Sequence, residues 1–200
     1  MLERRIEEAR EEGSRIAYET FEQEKLFDCD LSQLLFHGVQ FVRCGFAHCD
    51  FSHVELEKVK FINCDFSGCD FSESDWKKCQ IQDCKGDRAD FAGSLFRETI
   101  VNGSSFCYTD FSRCAWQDSA LVCCILKEAA LRGNRLKKLK LKQVNLTRAD
   151  FFRTSLSGVD LSECTIGGIT VSDSLQELQG VKIDPMQAVD LVPLLGVKLL

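Results

Sequence analysis

Cys64-Asp65-Phe66-Ser67-Gly68-Cys69-Asp70-Phe71-Ser72-Glu73 is one five-residue phrase written twice: a small residue, Asp, Phe, Ser, then a variable place. The phrase extends in both directions. Taking every fifth residue from Phe21 gives Phe21, Leu26, Leu31, Phe36, Phe41, Phe46, Phe51 and onward to Val171, and 30 of these 31 positions are large and apolar. Gly86 is the one exception. A helix repeats its apolar face about every 3.6 residues and a strand every 2, so neither keeps this period. A fixed period held this long marks a repeat architecture instead.

A second place in each five is selected as well. Two residues before each large centre stand Cys29, Leu34, Val39, Cys44, Cys49, Val54, Val59, Cys64 and Cys69, nearly all small or apolar. The other three places are mostly polar. This pattern describes a coil in which each pentapeptide is one short side, with two residues inward and three toward water. A longer period lies over the five: Asp30, Asp50, Asp70, Asp90 and Asp110 recur every 20 residues, as do Cys44, Cys64 and Cys84. Twenty residues per turn means four sides. At Gly86 the pattern predicts a local bulge or thin spot, covered by Phe66 or Phe106.

The segments Cys49-Asp50-Phe51-Ser52-His53, Cys64-Asp65-Phe66-Ser67-Gly68, Cys69-Asp70-Phe71-Ser72-Glu73 and Ala149-Asp150-Phe151-Phe152-Arg153 resemble the motif of the pentapeptide repeat family. The resemblance implies an all-β solenoid, a right-handed quadrilateral parallel β-helix, here with short helical caps at both ends. The expected organisation is an N-terminal capping helix in 1–20, the repeat β-helix in 21–171, and a C-terminal tail with a short helix in 172–200.

Composition narrows the function. The chain has 200 residues, with 31 acidic and 25 basic side chains for a net charge of −6, which argues against a generally basic nucleic-acid binder. No apolar run reaches the length of a membrane helix, and the charged start Met1-Leu2-Glu3-Arg4-Arg5 lacks the apolar core of a signal peptide. The expected location is the cytoplasm, where thiols stay reduced. Ten of the 12 cysteines fall at the small inward place, spaced by the repeat and not in Cys-x2-Cys pairs, so they read as core filler rather than zinc ligands. Cys107 and Cys123 should point outward as the more reactive thiols, and His37, His48 and His53 also fall at outward places. No Ser-His-Asp set or phosphate loop is present. A regularly filled interior also leaves no room for an enzyme-sized pocket. The reading is therefore a protein that is not an enzyme, with no catalytic residues, metal or cofactor.

Charge is unevenly placed. Residues 28–118 carry 15 acids and nine bases, and residues 119–153 carry two acids and nine bases. The basic segment includes Arg132, Arg135, Lys137, Lys138, Lys140 and Lys142. Asp30, Asp50, Asp70, Asp90 and Asp110 should stack as one column. Turn chemistry accounts for Asp at such a place, because its side chain bonds the backbone two residues on. The stacked carboxylates also present a negative stripe to a surface that ordinarily binds DNA phosphates. A neighbouring side bearing Glu57, Lys58, Lys77, Lys78, Arg97, Glu98, Asp118, Lys137 and Lys138 mixes both signs, which limits any likeness to DNA.

The ends need covers. Leu2, Ile6, Ala9, Ile16 and Ala17 predict a short amphipathic helix within 2–18, interrupted near Gly13. Asp184-Pro185 predicts a capped helix start, and Pro193 should shorten or kink that helix. Met186, Val189, Leu191, Leu194, Leu195, Val197 and Leu199 are too much apolar surface for this tail to hide alone, so a homodimer through paired tails is expected. Leu178-Gln179-Gly180-Val181-Lys182-Ile183-Asp184, Gln187-Ala188, Leu195-Gly196-Val197, the stretch from Cys84 to Phe91 and Phe106-Cys107 are similar to the Qnr quinolone-resistance group. That resemblance implies dimerisation through the tail and binding to DNA gyrase and topoisomerase IV, with no direct contact to nucleic acid or membrane. The unbroken five-residue phase departs from the Qnr members that carry projecting loops. The alternative is a structural or scaffold module with another protein partner, using the basic segment.

Overall fold

The computed structural model describes residues 1–198. Leu199, one of the interface candidates in the tail, lies outside them. The chain winds as a right-handed quadrilateral parallel β-helix with helical segments at both ends. Two adjacent faces are seven-stranded parallel sheets. The first runs from Ile16–Ala17 through Leu35–His37 and Glu55–Glu57 to Arg135–Lys137. The second runs from Thr20–Glu22 through Gln40–Val42 to Lys140–Lys142. The register advances by 20 throughout, as in Phe36 opposite Leu56 and Phe41 opposite Phe61. The third and fourth faces are mostly single bridges, such as Asp65 to Lys85 and Asp70 to Asp90.

Each corner is turned by a residue two past the centre. From Tyr18 to Arg153 every one of these is left-handed, including bulky residues such as Arg43 (φ 55°) and Lys78 (φ 56°). This conformation is unfavourable for a side chain with a Cβ. On the strand faces it is held because it points the N–H along the axis to the next rung: Arg43 N donates to Ile62 O at 2.9 Å and Asp118 N to Lys137 O at 3.0 Å.

The centres fill the interior. Phe51, Phe71, Phe91 and Phe111 form one column of parallel rings, with centroids 4.4, 5.0 and 5.0 Å apart. Phe96 lies on Trp116 at 3.9 Å in another. Each fully buried ring contributes about 1.5–3 kcal/mol by removal from water. At Gly86 there is no bulge: its N–H bonds Ser105 O at 2.8 Å and the ladder continues. Phe66 and Phe106 occupy the space, so that a Cβ would lie 2.5 and 2.7 Å from their ring carbons.

The inward small place does more than fill. Cys64 Sγ donates to Phe41 O, Cys79 Sγ to Leu56 O and Cys114 Sγ to Phe91 O, at 3.3, 3.2 and 3.1 Å. Ser94 and Thr109 donate in the same way to Phe71 O and Gly86 O. A thiol or hydroxyl here reaches a carbonyl of the rung below, a role the apolar-filler reading did not include.

The ends differ in detail from the sequence expectation. The N-terminal helix spans Leu2–Glu12 and stops at left-handed Gly13, burying Leu2, Ile6 and Ala9. Ile16 and Ala17 are not helical; they pair with Phe36 and His37, so the first rung begins before Phe21. At the other end Asp184 caps as expected: its carboxylate accepts from Met186 N at 2.9 Å, and its own N–H donates to Gln187 Oε1 at 2.7 Å. Gln187 Nε2 donates to Leu161 O at 2.8 Å, fastening the tail to the last rung. The Ala188–Leu191 turn passes into a tighter 3-10 turn, Val192–Leu195, at Pro193.

Candidate functional site

The fourth face carries the acidic column. Asp30, Asp50, Asp70, Asp90 and Asp110 are bridged in sequence, continuing through Ala130 to Asp150. Hydrogen-bonded strands lie about 4.8 Å apart, which sets the spacing of these carboxylates. Each uses one oxygen on its own turn. Ser52 N, Ser72 N, Ala92 N and Ser112 N donate to the Oδ1 atoms of Asp50, Asp70, Asp90 and Asp110 at 2.8, 2.7, 2.8 and 2.7 Å. The turn therefore fixes the direction of the carboxylate and leaves its second oxygen available.

The two ends of the column are neutralised. Arg10 of the N-terminal helix reaches Asp30 at 2.7 Å, and Arg132 reaches Asp150 at 2.6 Å. Bonds from Ser32, aided by Arg10, hold the Asp30 carboxyl below its ordinary range. Among the described residues, Asp50, Asp70, Asp90 and Asp110 have no cationic partner within ion-pair distance. Burial raises the Asp90 carboxyl above its ordinary range, and the charges of Asp110 and Asp70 push the same way. The free part of the column is thus four fixed, outward acids, accepting groups only.

The first face, next along the chain, is cross-linked instead. Glu57 bonds His37 and Lys77, each at 2.9 Å, and those contacts, Lys77 foremost, hold its carboxyl below the ordinary range. Asp75 pairs with Arg97, Lys78 approaches Glu98 at 3.8 Å, and Lys138 lies 3.3 Å from Asp118. His48 and His53 are corner residues on two further faces, so the three histidines do not converge. All 12 cysteines are free; Cys123 is exposed at a corner and Cys107 half-buried. No helix among the described residues is long and apolar enough to cross a membrane.

The tail candidates divide. Leu191 and Leu194 pack against the core. Met186, Val189, Leu195 and Val197 are exposed, Met186 by 80%.

These features define a class: a stacked, four-sided parallel β-solenoid with an acidic column along one face. The pentapeptide repeat family, as a model of eight copies, matches residues 40–75, 64–103 and 131–168, and the chain belongs to this family. Among solved structures it is similar to a trypsin-treated form of QnrB1, a plasmid-mediated fluoroquinolone resistance protein, at 21% identity over 91% of this chain and 100% of that one, with a TM-score of 0.50. It is also similar to HetL, a pentapeptide repeat protein involved in heterocyst differentiation regulation from the cyanobacterium Nostoc sp. strain PCC 7120. There the identity is 17% over 88% of this chain and 90% of that one, with a TM-score of 0.62. At such identities the likeness establishes the fold. A search of curated proteins finds no match.

Proposed function

We propose that this protein is a non-catalytic interaction rod of the cytoplasm that binds a type II topoisomerase, DNA gyrase or topoisomerase IV, by partial DNA mimicry, and so modulates quinolone susceptibility. The observation that carries the reading is the run of four unpaired carboxylates, Asp50, Asp70, Asp90 and Asp110, each oriented by its own turn. One carboxylate per rung gives a charge about every 4.8 Å, against about 3.4 Å for one strand of DNA. The column is a diluted copy of one phosphate strand. A surface built to hold phosphates gains from such a stripe through long-range attraction and matched contacts. The mixed first face has no such stripe, which confines the mimicry to one side.

A homodimer would double the column. The exposed Met186, Val189, Leu195 and Val197 support pairing of tails. Sedimentation of the full-length protein tests it: the dimer mass is expected, falling to the monomer mass in a Val189→Glu, Leu195→Glu variant. A monomer at all concentrations removes the dimer.

The function is tested by a gyrase supercoiling assay with and without ciprofloxacin. Protection from the drug, or direct inhibition, is the expected result. Neither effect, with no binding at micromolar protein, removes the topoisomerase reading and leaves a scaffold with another partner.

A further inference from the structure

The two sheets both stop at one level, and the solenoid opens there. Arg135–Lys137 and Lys140–Lys142 pair downward with Ala115–Gln117 and Ala120–Val122. Among the described residues, nothing pairs with them from above. Residues 155–162, one rung farther on, donate upward to the tail, Leu156 N to Glu177 O, Gly158 N to Gly180 O and Leu161 N to Lys182 O, at 2.9, 2.9 and 2.8 Å. Among the described residues, however, the Ser155 and Asp160 amides lack the downward bond that Arg135 N makes to Cys114 O and Lys140 N to Ser119 O. The other two faces remain closed at this level, through Leu146 N to Thr165 O at 2.7 Å and Phe151 N to Thr170 O at 2.8 Å. The result is a wedge-shaped opening at one corner.

The opening has a volume of about 240 Å³, with Leu139, Lys140, Leu141 and Lys142 on one lip and Gly158, Asp160, Ser162 and Glu163 on the other. Three features show that it is an unfilled place in the repeat. Leu136, Leu139 and Leu141 are only half-buried, whereas every centre from Phe21 to Leu131 is buried. Among the described residues, the amides of Lys138 and Gln143 find no partner for the upward bond that Asp118 and Cys123 make one rung below. Beneath the leucines, the buried Trp116 Nε1 and Asn134 Nδ2 line a small void and have no acceptor among the described residues.

Two free parallel-strand edges offer alternating N–H and C=O groups, which another peptide chain matches and a nucleic acid does not. Around them stand Arg135, Lys137, Lys138, Lys140 and Lys142, of which only Lys138 has an ion-pair partner among the described residues. Asp160 and Glu163 on the far lip offset part of that charge but leave the lip with the strand edges positive. We propose that this opening is a docking site for an extended acidic segment of a partner protein, added as a strand to the edges at 135–137 and 140–142, with its apolar side chains seated on Leu136, Leu139 and Leu141. The site is separate from the fourth-face column, so either can fail without the other.

The test uses the full-length protein and a labelled peptide, Glu-Leu-Glu-Ser-Gly-Glu-Leu-Glu, whose leucines keep the five-residue spacing of Leu136 and Leu141. Saturable binding by fluorescence anisotropy is expected, weakened by salt. Lys140→Glu with Lys142→Glu should weaken it by about tenfold or more. An acetylated peptide N-methylated at the Glu before each leucine should lose binding comparably, because in this ladder that residue donates its N–H to the rung below, as Arg135 N does to Cys114 O and Lys140 N to Ser119 O. In hydrogen exchange, the Lys138 and Gln143 amides should be fast in the free protein and slowed by peptide. The proposal is overturned by absence of binding at millimolar protein, by undiminished binding of the methylated peptide, or by amides already slow without peptide. Displacement of the peptide by a short DNA duplex with no change in those amides would assign the basic lip to phosphates and overturn it equally.

Discussion

Two regions of this solenoid share one backbone phrase and differ in nearly everything else. From Phe21 to Trp116 the centres are predominantly aromatic; from Leu121 to Leu146 every centre is leucine. The surface changes at the same place, from 15 acids and nine bases over 28–118 to two acids and nine bases over 119–153. The aromatic region is closed on all four faces, while the leucine region ends in the opening above 135–142. Flat rings meet rings of the rungs above and below at stacking distance, which ties adjacent rungs tightly. Leucines fill the same cross-section without that stacking geometry. Because a solenoid is stabilised mainly by contacts between neighbouring rungs, each region can be tuned without the other. The repeat thus fixes the winding and leaves interior and charge free to vary along the rod.

The contrast can be broken most strongly from inside. Phe91 is fully buried and stacks at 5.0 Å on both Phe71 and Phe111. Phe91→Ala should destabilise by about 3–5 kcal/mol. Leu136→Ala, at the half-buried edge of the opening, should lose only about 1–2 kcal/mol because part of that side chain is already wet. Urea unfolding of both variants checks the ordering; equal losses would erase the difference between regions. Next in size is Gly86→Ala, where the new methyl group meets Phe66 and Phe106. Overpacking should destabilise by about 1–3 kcal/mol, with part recovered when Phe106→Leu is added.

A smaller effect concerns pH. Burial pushes the Cys79 and Cys114 thiols up to about 12 from the ordinary 9.0. They remain protonated in the fold and ionise more readily once unfolded. Their stabilising contribution is therefore complete below about pH 9, the ordinary thiol value, and declines as pH rises toward the folded value. Thermal melts should show that decline, and at pH 8 a thiol-reactive dye should label Cys123 first and Cys107 next. Rapid labelling of Cys79 or Cys114 in the native protein would contradict their burial. The smallest change is expected on the mixed face: Asp118→Asn removes an exposed pair to Lys138 and should leave the melting temperature unmoved within error.

The winding was legible because Phe, Leu and Cys repeat in places that only a four-sided coil puts inside. The acidic column came out of the same count. What escaped the sequence depends on backbone direction rather than on residue type. His48, Lys78 and Cys123 look like ordinary polar positions, yet all are left-handed corners. Ser155 and Asp160 keep the five-residue phase, so nothing in their identity announces that their amides do not close on the rung below as those of Arg135 and Lys140 do. Nor does composition distinguish Cys64 as filler from Cys64 as a donor to Phe41 O. Asp30 and Asp150 read like their neighbours, and only the fold brings Arg10 and Arg132 against them.

The functional reading depends on charge at Asp50, Asp70, Asp90 and Asp110, separated from their turn chemistry. Replacing all four by Asn keeps the side-chain acceptor for the turn and removes the charge. The decisive measurement is the affinity of this variant for purified gyrase, beside the parent and across a salt series. Binding weakened by about tenfold or more, with a shallower salt dependence and an unchanged melting temperature, is the expected result. An affinity equal to the parent's at every salt concentration would contradict the account and reduce the column to a set of turns.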